Sequence, residues 1–191
     1  QEPLVRDPIA FEWGADGKLW VVEMGDYPVG VDGHGRPGGI VRFLEDTDGD
    51  ERYDKSTVFL TGLNFPTGVM PWRKEVIVSA APEIFYAEDT DGDGKADVRK
   101  PLFTGFRQGN QQHRVNGFDY GLDNWIYGAN GDSGGEIHSV ATGKTFNLRG
   151  RDFRFKPDDG SFETVEGQTQ FGRHRDDWGN WFGNNNPTWL W

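Results

Sequence analysis

An all-β fold is what this sequence predicts, on three observations. Glycine is abundant, at 28 of 191 residues, about twice its usual ~7%, and it stands beside 14 Phe and 8 Trp. No window of a dozen residues carries an apolar stripe at helical spacing. The acidic hexapeptide EDTDGD occurs twice, from Glu45 and from Glu88, 43 residues apart. That interval lies inside the ~40–50 residue period at which the four-stranded blades of a β-propeller repeat.

Short runs rich in Val, Ile, Phe, Tyr and Trp, bounded by Gly, Asp, Asn and Pro, read as strands. In order they are Lys18–Met24, Ile40–Leu44, Glu75–Ala80, Glu83–Ala87, Asn124–Ala129 and Asp152–Lys156. Ala15-Asp16-Gly17 supplies a tight turn before the first, and Asp158-Asp159-Gly160 follows the last. The context of the acidic loops repeats too. Phe59-Leu60-Thr61-Gly62 follows one and Phe103-Thr104-Gly105-Phe106 the other, and inner strands recur near Trp20, Ile77, Ile126 and Trp181. Blade-like repeats over 5–62, 63–106, 107–167 and an incomplete 168–191 make one partial propeller, about three blades and the start of a fourth. The chain opens at Gln1, which reads as a processed or trimmed start. Trp189-Leu190-Trp191 falls where the next strand should run. An apolar edge strand facing solvent is a liability, so the expected partners are the remaining blades of a longer chain, or a second copy.

Charge and cysteine narrow the function classes. A net charge of -11 repels phosphate backbones and argues against nucleic acid. No apolar run approaches the ~20 residues that span a bilayer, so no direct membrane insertion is expected. Cysteine is absent, which excludes disulfides, zinc–thiolate centres and covalent c-type haem in this stretch.

The second acidic loop places Asp89, Asp91, Asp93 and Asp97 at positions 1, 3, 5 and 9. Calcium takes six to eight hard oxygens, and alternate residues of a tight loop can turn inward to supply them. Gly94 permits the sharp turn, and Lys100 stands where an EF-hand requires Glu. The first copy offers Asp46, Asp48, Asp50 and Asp54, with Glu51 in place of the glycine. A polar hairpin turn explains these residues more simply. Four carboxylates within nine residues repel one another without a cation, which favours structural calcium. The loop resembles the DxDGDGxxD calcium hairpin of several propeller families.

Residues 113–134, HRVNGFDYGLDNWIYGANGDSG, read as two strands about an Asp-Asn turn. A lone histidine there is ordinarily structural. His113, however, follows the polar run Arg107–Gln112, suited to a central rim, and Arg114 and Asn116 flank it with donors. Asp132, at the end of the following strand, can return to hydrogen-bond the imidazole, the arrangement of a general base.

These residues resemble the strand pair around the catalytic histidine of soluble quinoprotein glucose and sorbosone dehydrogenases. His113, Gly121, Asp123, Ile126, Tyr127, Gly131, Asp132 and Gly134 occupy the family's places. The resemblance implies a six-bladed propeller holding pyrroloquinoline quinone over its axis. It implies that His113 takes the proton of a substrate hydroxyl while Asp132 orients the ring. Arg173-His174-Arg175-Asp176-Asp177-Trp178-Gly179 resembles the family's His-Arg-Asn-Pro-x-Gly element, with Arg175 at the quinone-contacting arginine. Asp176 and Asp177 replace its Asn and Pro, and Gln112 stands where the family often has an acid. Arg114 and Asn116 complete the implied cofactor shell. Glu2–Pro8, Leu19–Glu23, Asp26–Pro28, Gln168–Gly172 and Asn184–Pro187 resemble a nearer family, large secreted bacterial proteins labelled membrane-bound dehydrogenases. That likeness spans nearly the whole chain and implies a periplasmic or secreted location.

Trp178, Trp181, Phe182, Trp189 and Trp191 read as core rings filling the wedge between blades, with sugar stacking beside Asn180, Asn184, Asn185 and Asn186 as the sharper alternative. Three function classes follow: a quinone-dependent sugar or alcohol dehydrogenase, a non-catalytic calcium-stabilised carbohydrate- or protein-binding propeller, and a calcium-dependent lactonase or hydrolase. The first requires His113, Asp132 and Arg175 to converge on one rim.

Overall fold

The computed structural model describes residues 3–190. Gln1 and Glu2 of the N-terminal motif, and Trp191 of the terminal apolar triplet, lie outside the described residues. Among the described residues the secondary structure is strand, with one 3-10 turn and no α-helix. No helix is long and apolar enough to cross a membrane.

The chain divides into two compact units, one running to Ala80 and taking in Phe85–Lys100, the other made of Ala81–Ile84 and the chain from Pro101 onward. In the first unit, β1 (Pro8–Trp13), β2 (Leu19–Glu23), β3 (Gly39–Glu45) and β4 (Lys55–Leu63) form an antiparallel sheet in sequence order. This four-stranded meander is the topology of a propeller blade. A second sheet starts with β5 (Gly68–Trp72) and β6 (Glu75–Ala80), paired from Gly68↔Ser79 to Trp72↔Glu75, and continues in order through β7 (Glu83–Glu88) and β8 (Val98–Phe106). Strand alternation fills the core of the first unit. Val41 and Phe43 of β3 and Val76, Val78 and Ala80 of β6 point inward around Trp20. The Trp20 ring meets Phe59 edge-on at 4.8 Å and Phe43 at 5.1 Å.

In the second unit, β9 (Asn116–Tyr120) and β10 (Ile126–Ala129) begin a third meander. The hairpin β11 (Gly135–Ser139) and β12 (Thr145–Asn147) then leaves it to pair with Phe103–Phe106 of β8. The chain returns as β13 (Asp152–Lys156) and β14 (Ser161–Val165), giving the sheet order β9-β10-β13-β14. Phenylalanines make this core. The ring of Phe153 lies nearly parallel to that of Phe162, 5.1 Å apart, and Phe103 meets Phe155 edge-on at 5.3 Å. Finally β15 (His174–Arg175) and β16 (Trp181–Phe182) pair as a short ribbon.

The fold is therefore all-β and built of blade-type meanders, as expected, and no sheet closes on itself among the described residues. Trp20, Ile77, Ile126 and Trp181 fall on β2, β6, β10 and β16, the second strand of each successive sheet. The aromatic cluster does not meet its expectation as core. Trp181 stacks on Tyr127 at 4.0 Å, but Trp178 is 84% exposed, Trp189 88% and Phe182 41%. The β15–β16 ribbon has two residues per strand, and among the described residues no third strand pairs with it.

Candidate functional site

Both aspartate loops bridge the third and fourth strands of a meander, Asp46–Asp54 between β3 and β4 and Asp89–Asp97 between β7 and β8. Their internal wiring matches. Asp89 Oδ1 accepts from the Gly92 amide at 2.7 Å, and Oδ2 accepts from the Gly94 amide at 2.7 Å. Asp46 likewise takes the amides of Gly49 at 2.7 Å and Glu51 at 2.9 Å. These donors hold both carboxyls below the usual carboxylate range, the Gly94 amide contributing most at Asp89 and the Gly49 amide most at Asp46. Carboxylate oxygens of Asp46, Asp48 and Asp50 lie within 4.8 Å of one another, as do those of Asp89, Asp91 and Asp97. Asp54 and Asp93 fall outside these groups. Asp54 accepts from the amide and hydroxyl of Thr47 as Asp97 does from those of Thr90, and Asp93 accepts from the Lys95 amide as Asp50 does from that of Arg52, so these bonds do not set the two groups apart.

His113 closes a 3-10 turn, Gln111–His113, capped by Asn110, whose side chain accepts the Gln112 amide. The expected strand pair follows as β9 and β10. Beyond β10, Gly131 at φ +70 lets the chain pass Arg114, where a Cβ would stand 2.0 Å from the Arg114 carbonyl oxygen. This approach brings Asp132 Oδ2 to 3.6 Å from His113 Nδ1, with both side chains roughly a quarter exposed. Asp132 Oδ1 accepts from Gln168 Nε2 at 3.2 Å. The two side chains are therefore neighbours at ion-pair distance, longer than the expected hydrogen bond, and Gln168 is a further neighbour that the sequence did not single out.

The implied cofactor shell does not assemble around it. Arg175 donates from its main-chain N to Asp119 Oδ2, from Nε to the Tyr120 carbonyl and from Nη1 to the Asp176 carbonyl. It sits at the Tyr120 end of β9, whereas His113 precedes the Asn116 end. At ~3.3 Å per residue, about 13 Å of strand separates those ends. Convergence of Arg175 with His113 and Asp132 is overturned. Arg114 is buried, its Nη2 bonded to the Gln108 carbonyl. Asn116 is fully buried and gives both amide hydrogens to the Arg114 and Gln170 carbonyls while accepting from the Gly172 amide. It fastens the 168–172 segment and has no donor left for a ligand. Asp176, standing where the resembled element has Asn, closes an Asx turn on Trp178 and Asn180.

Arg173, two residues earlier, is the buried arginine of this segment. It is 6% exposed and paired through Nη1 with the fully buried Asp152 and the Glu166 carbonyl. Asp152 also accepts the Asn130 and Thr169 amides and the Thr169 hydroxyl. The guanidinium carbon stands 5.2 Å from the Trp181 ring centroid. The sequence signal of Asp152 was weak: in Asp152–Lys156, DFRFK, alternation sets it on one face with Arg154 and Lys156, so neither its burial nor its need for a counter-charge was legible.

Two cavities adjoin this network. One of about 390 Å³ is lined by Asp132, Arg107, Arg149 and Gln168 among others. The other, of about 620 Å³, is lined by Arg151, Arg173, Gln168, Trp181 and Asn185 among others. Gly150 and Gln168 line both.

Blade-type sheets place this chain in the class of all-β, propeller-type proteins, and the polar cavity that Asp132 lines is its candidate small-molecule site. The chain belongs to the DUF7133 family, described as a domain of unknown function, whose model matches residues 1–191. No curated protein matches it. Among solved structures it is similar to a catalytically inactive variant of virginiamycin B lyase from Staphylococcus aureus with quinupristin, at TM-score 0.49 and 11% identity, covering 96% of this chain and 50% of that one. Selenomethionine-substituted virginiamycin B lyase from the same organism is similar at TM-score 0.46 and 11% identity, covering 93% of this chain and 62% of that one. The chain thus spans under two thirds of either structure.

Proposed function

We propose that this is a calcium-stabilised propeller segment that binds a hydroxyl-bearing small molecule of the sugar or alcohol class beside His113, with His113 as general base. The observation that carries the reading is the 3.6 Å approach of His113 Nδ1 to Asp132 Oδ2 at the edge of a polar cavity. Asp132 favours the tautomer that leaves Nε2 as the proton acceptor and supports the imidazolium that forms on proton transfer. Gln168, bonded to the other Asp132 oxygen, fixes that carboxylate's orientation.

The reaction class implied by the resemblance is quinone-dependent oxidation of an alcohol, in which the quinone accepts the hydride. Arg175, Arg114 and Asn116 do not fit that group, since each gives hydrogen bonds to carbonyls of the fold. The same engagement favours a second reading, a binding propeller without catalysis. Calcium in the aspartate loops is proposed as structural in both readings.

Dye reduction by the full-length protein, supplied with calcium, pyrroloquinoline quinone and a panel of sugars and alcohols, separates the two. Loss of a general base costs ~10²–10⁴-fold in rate, so His113→Ala is expected to lower turnover by at least that lower bound. Turnover that survives His113→Ala removes the proposed base. Substrate binding without any turnover leaves the second reading.

A further inference from the structure

We infer that Asp152 is a positioning residue of this site, acting on His113 only through the backbone that aims Asp132 at the imidazole. The inference rests on the proposed role of the His113–Asp132 pair and adds what sets its geometry. Asp132 holds φ at +64, a left-handed conformation that a side chain keeps only where its surroundings over-determine it. Gly131 before it stands at +70. The bonds that fix this turn converge on one carboxylate. Asp152 Oδ1 accepts the Asn130 amide at 3.0 Å, two residues before Asp132, and the Thr169 amide at 3.0 Å, next to Gln168. The Thr169 carbonyl in turn accepts the Gly131 amide at 3.0 Å, and Gln168 donates to Asp132 Oδ1. The backbone before Asp132 and the side chain that grips it are both tied back to Asp152.

The sheet explains how one residue reaches both segments. Asp152 opens β13, which lies between β10 and β14. On one side β10 ends at Ala129 and leads into Asn130. On the other, Val165 at the end of β14 pairs with Asp152 and leads towards Thr169. The carboxylate is fully buried, and Oδ2 accepts the Thr169 hydroxyl at 2.6 Å together with Arg173 Nη1. Four donors hold it in one orientation, and its charge makes each bond stronger than a neutral one. Gly167, at φ +111, shows how closely the segment is drawn in. A Cβ there would stand 2.5 Å from Asp152 Oδ2 and from Arg173 Nη1. A buried ion pair adds little net stability, because desolvation offsets the attraction. Its use here is to place the turn that carries Asp132.

The test reads the tautomer of His113 by nitrogen NMR, with no substrate present. The full-length protein is labelled in its histidine ring nitrogens and held at pH about 9, where an ordinary imidazole is neutral. The His113 signals are assigned by their loss in His113→Gln, and their shifts give the ratio of the Nδ1–H to the Nε2–H form. Asp132→Asn is expected to lower that ratio, since no carboxylate then favours a proton on Nδ1. Asp152→Asn strands Arg173 and threatens the fold, so Thr169→Val carries the test: it removes one donor from Asp152 and keeps the side-chain shape. It should lower the ratio about twofold or more, within the roughly 2–10-fold worth of a hydrogen bond. Thr169→Ser, which keeps the hydroxyl, should hold the wild-type ratio. Val78→Ala, a cut in the equally buried core of the first unit, controls for lost stability and should leave it unchanged. A wild-type ratio in Thr169→Val, or an equal fall in Val78→Ala, overturns the role of Asp152 and leaves the base standing. A ratio that Asp132→Asn does not move sinks the paired base, and this inference with it.

Discussion

Glu51 holds φ at +68, where the matching position of the second loop carries Gly94 at +85. A side chain in that left-handed region costs ~1 kcal/mol that glycine avoids. Glu51→Gly is therefore expected to raise stability by about 0.5–1 kcal/mol in urea unfolding, since the Asp46 contact uses only the Glu51 main-chain amide. An unchanged or lower midpoint would show that the loop carries no such strain. Tyr86 offers an alkaline probe. Burial, reinforced by its hydrogen bond to Glu88, pushes its phenol up to about 12. A folded-state value above the unfolded one contributes stability that is full below about 10 and is lost as pH rises through about 12. Tyr86→Phe should flatten that decline, followed as unfolding free energy between those limits. At this scale His113 and Asp132 were legible because their partnership follows from chain order. Arg173 was not, because choosing between it and Arg175 depends on which end of β9 each one abuts.

The two aspartate loops are one structural element used twice, with the same amide-to-carboxylate wiring at Asp46 and Asp89. If calcium occupies them, saturating calcium stabilises the folded chain by about 2.7 kcal/mol per site at a hundredfold excess over Kd. Millimolar calcium chloride should therefore raise Tm by several degrees, while magnesium, which is reluctant to dehydrate, should do less. Asp89→Asn should abolish part of the shift and Asp46→Asn another part. A Tm indifferent to calcium in the wild-type protein refutes occupancy. Among elements, Glu75–Ala80 and Asp152–Lys156 were found at their true bounds because alternation and flanking turns agree there. The β11–β12 hairpin escaped notice. Gly135–Ser139 has one large apolar residue, Ile137, and Thr145–Asn147 spans three residues, too little for a periodic signal.

For the molecule as a whole, the repeat of acidic loops was the most informative feature of the sequence, because a period survives where single motifs are ambiguous. It specified the meander and the place of each loop within it. It carried no information about the cavities, which arise from the 147–151 and 166–173 segments returning past β10. Charge also acts at this scale. Asp32, Asp46, Asp89, Asp159 and Asp176 are all held below the ordinary value of 3.8, the amides of His34, Gly49 and Gly94 leading at the first three and the side chains of Ser161 and Asn180 at the last two. Depressed folded-state values mean that their contribution is present above 3.8 and is lost as pH falls below it. Acid unfolding followed by circular dichroism should accordingly steepen below that pH. Stability that stays level down to pH ~2 would contradict it.

The excursion of β11 and β12 between β10 and β13 also sets a timetable. β5, β6 and β7 are joined by the two-residue connections Arg73-Lys74 and Ala81-Pro82, so β5 and β6 can zip together locally. The pairing of Ile126 with Phe155 must wait until the chain from Asn130 to Arg151 has looped out and returned. Closing a longer loop loses more chain entropy before any contact repays it, and such pairings form late. In pulsed hydrogen exchange during refolding, amides of β6 should gain protection before those of β13. Arg151, which leads into β13 and lines the larger cavity, would then be among the last parts of the chain to be placed.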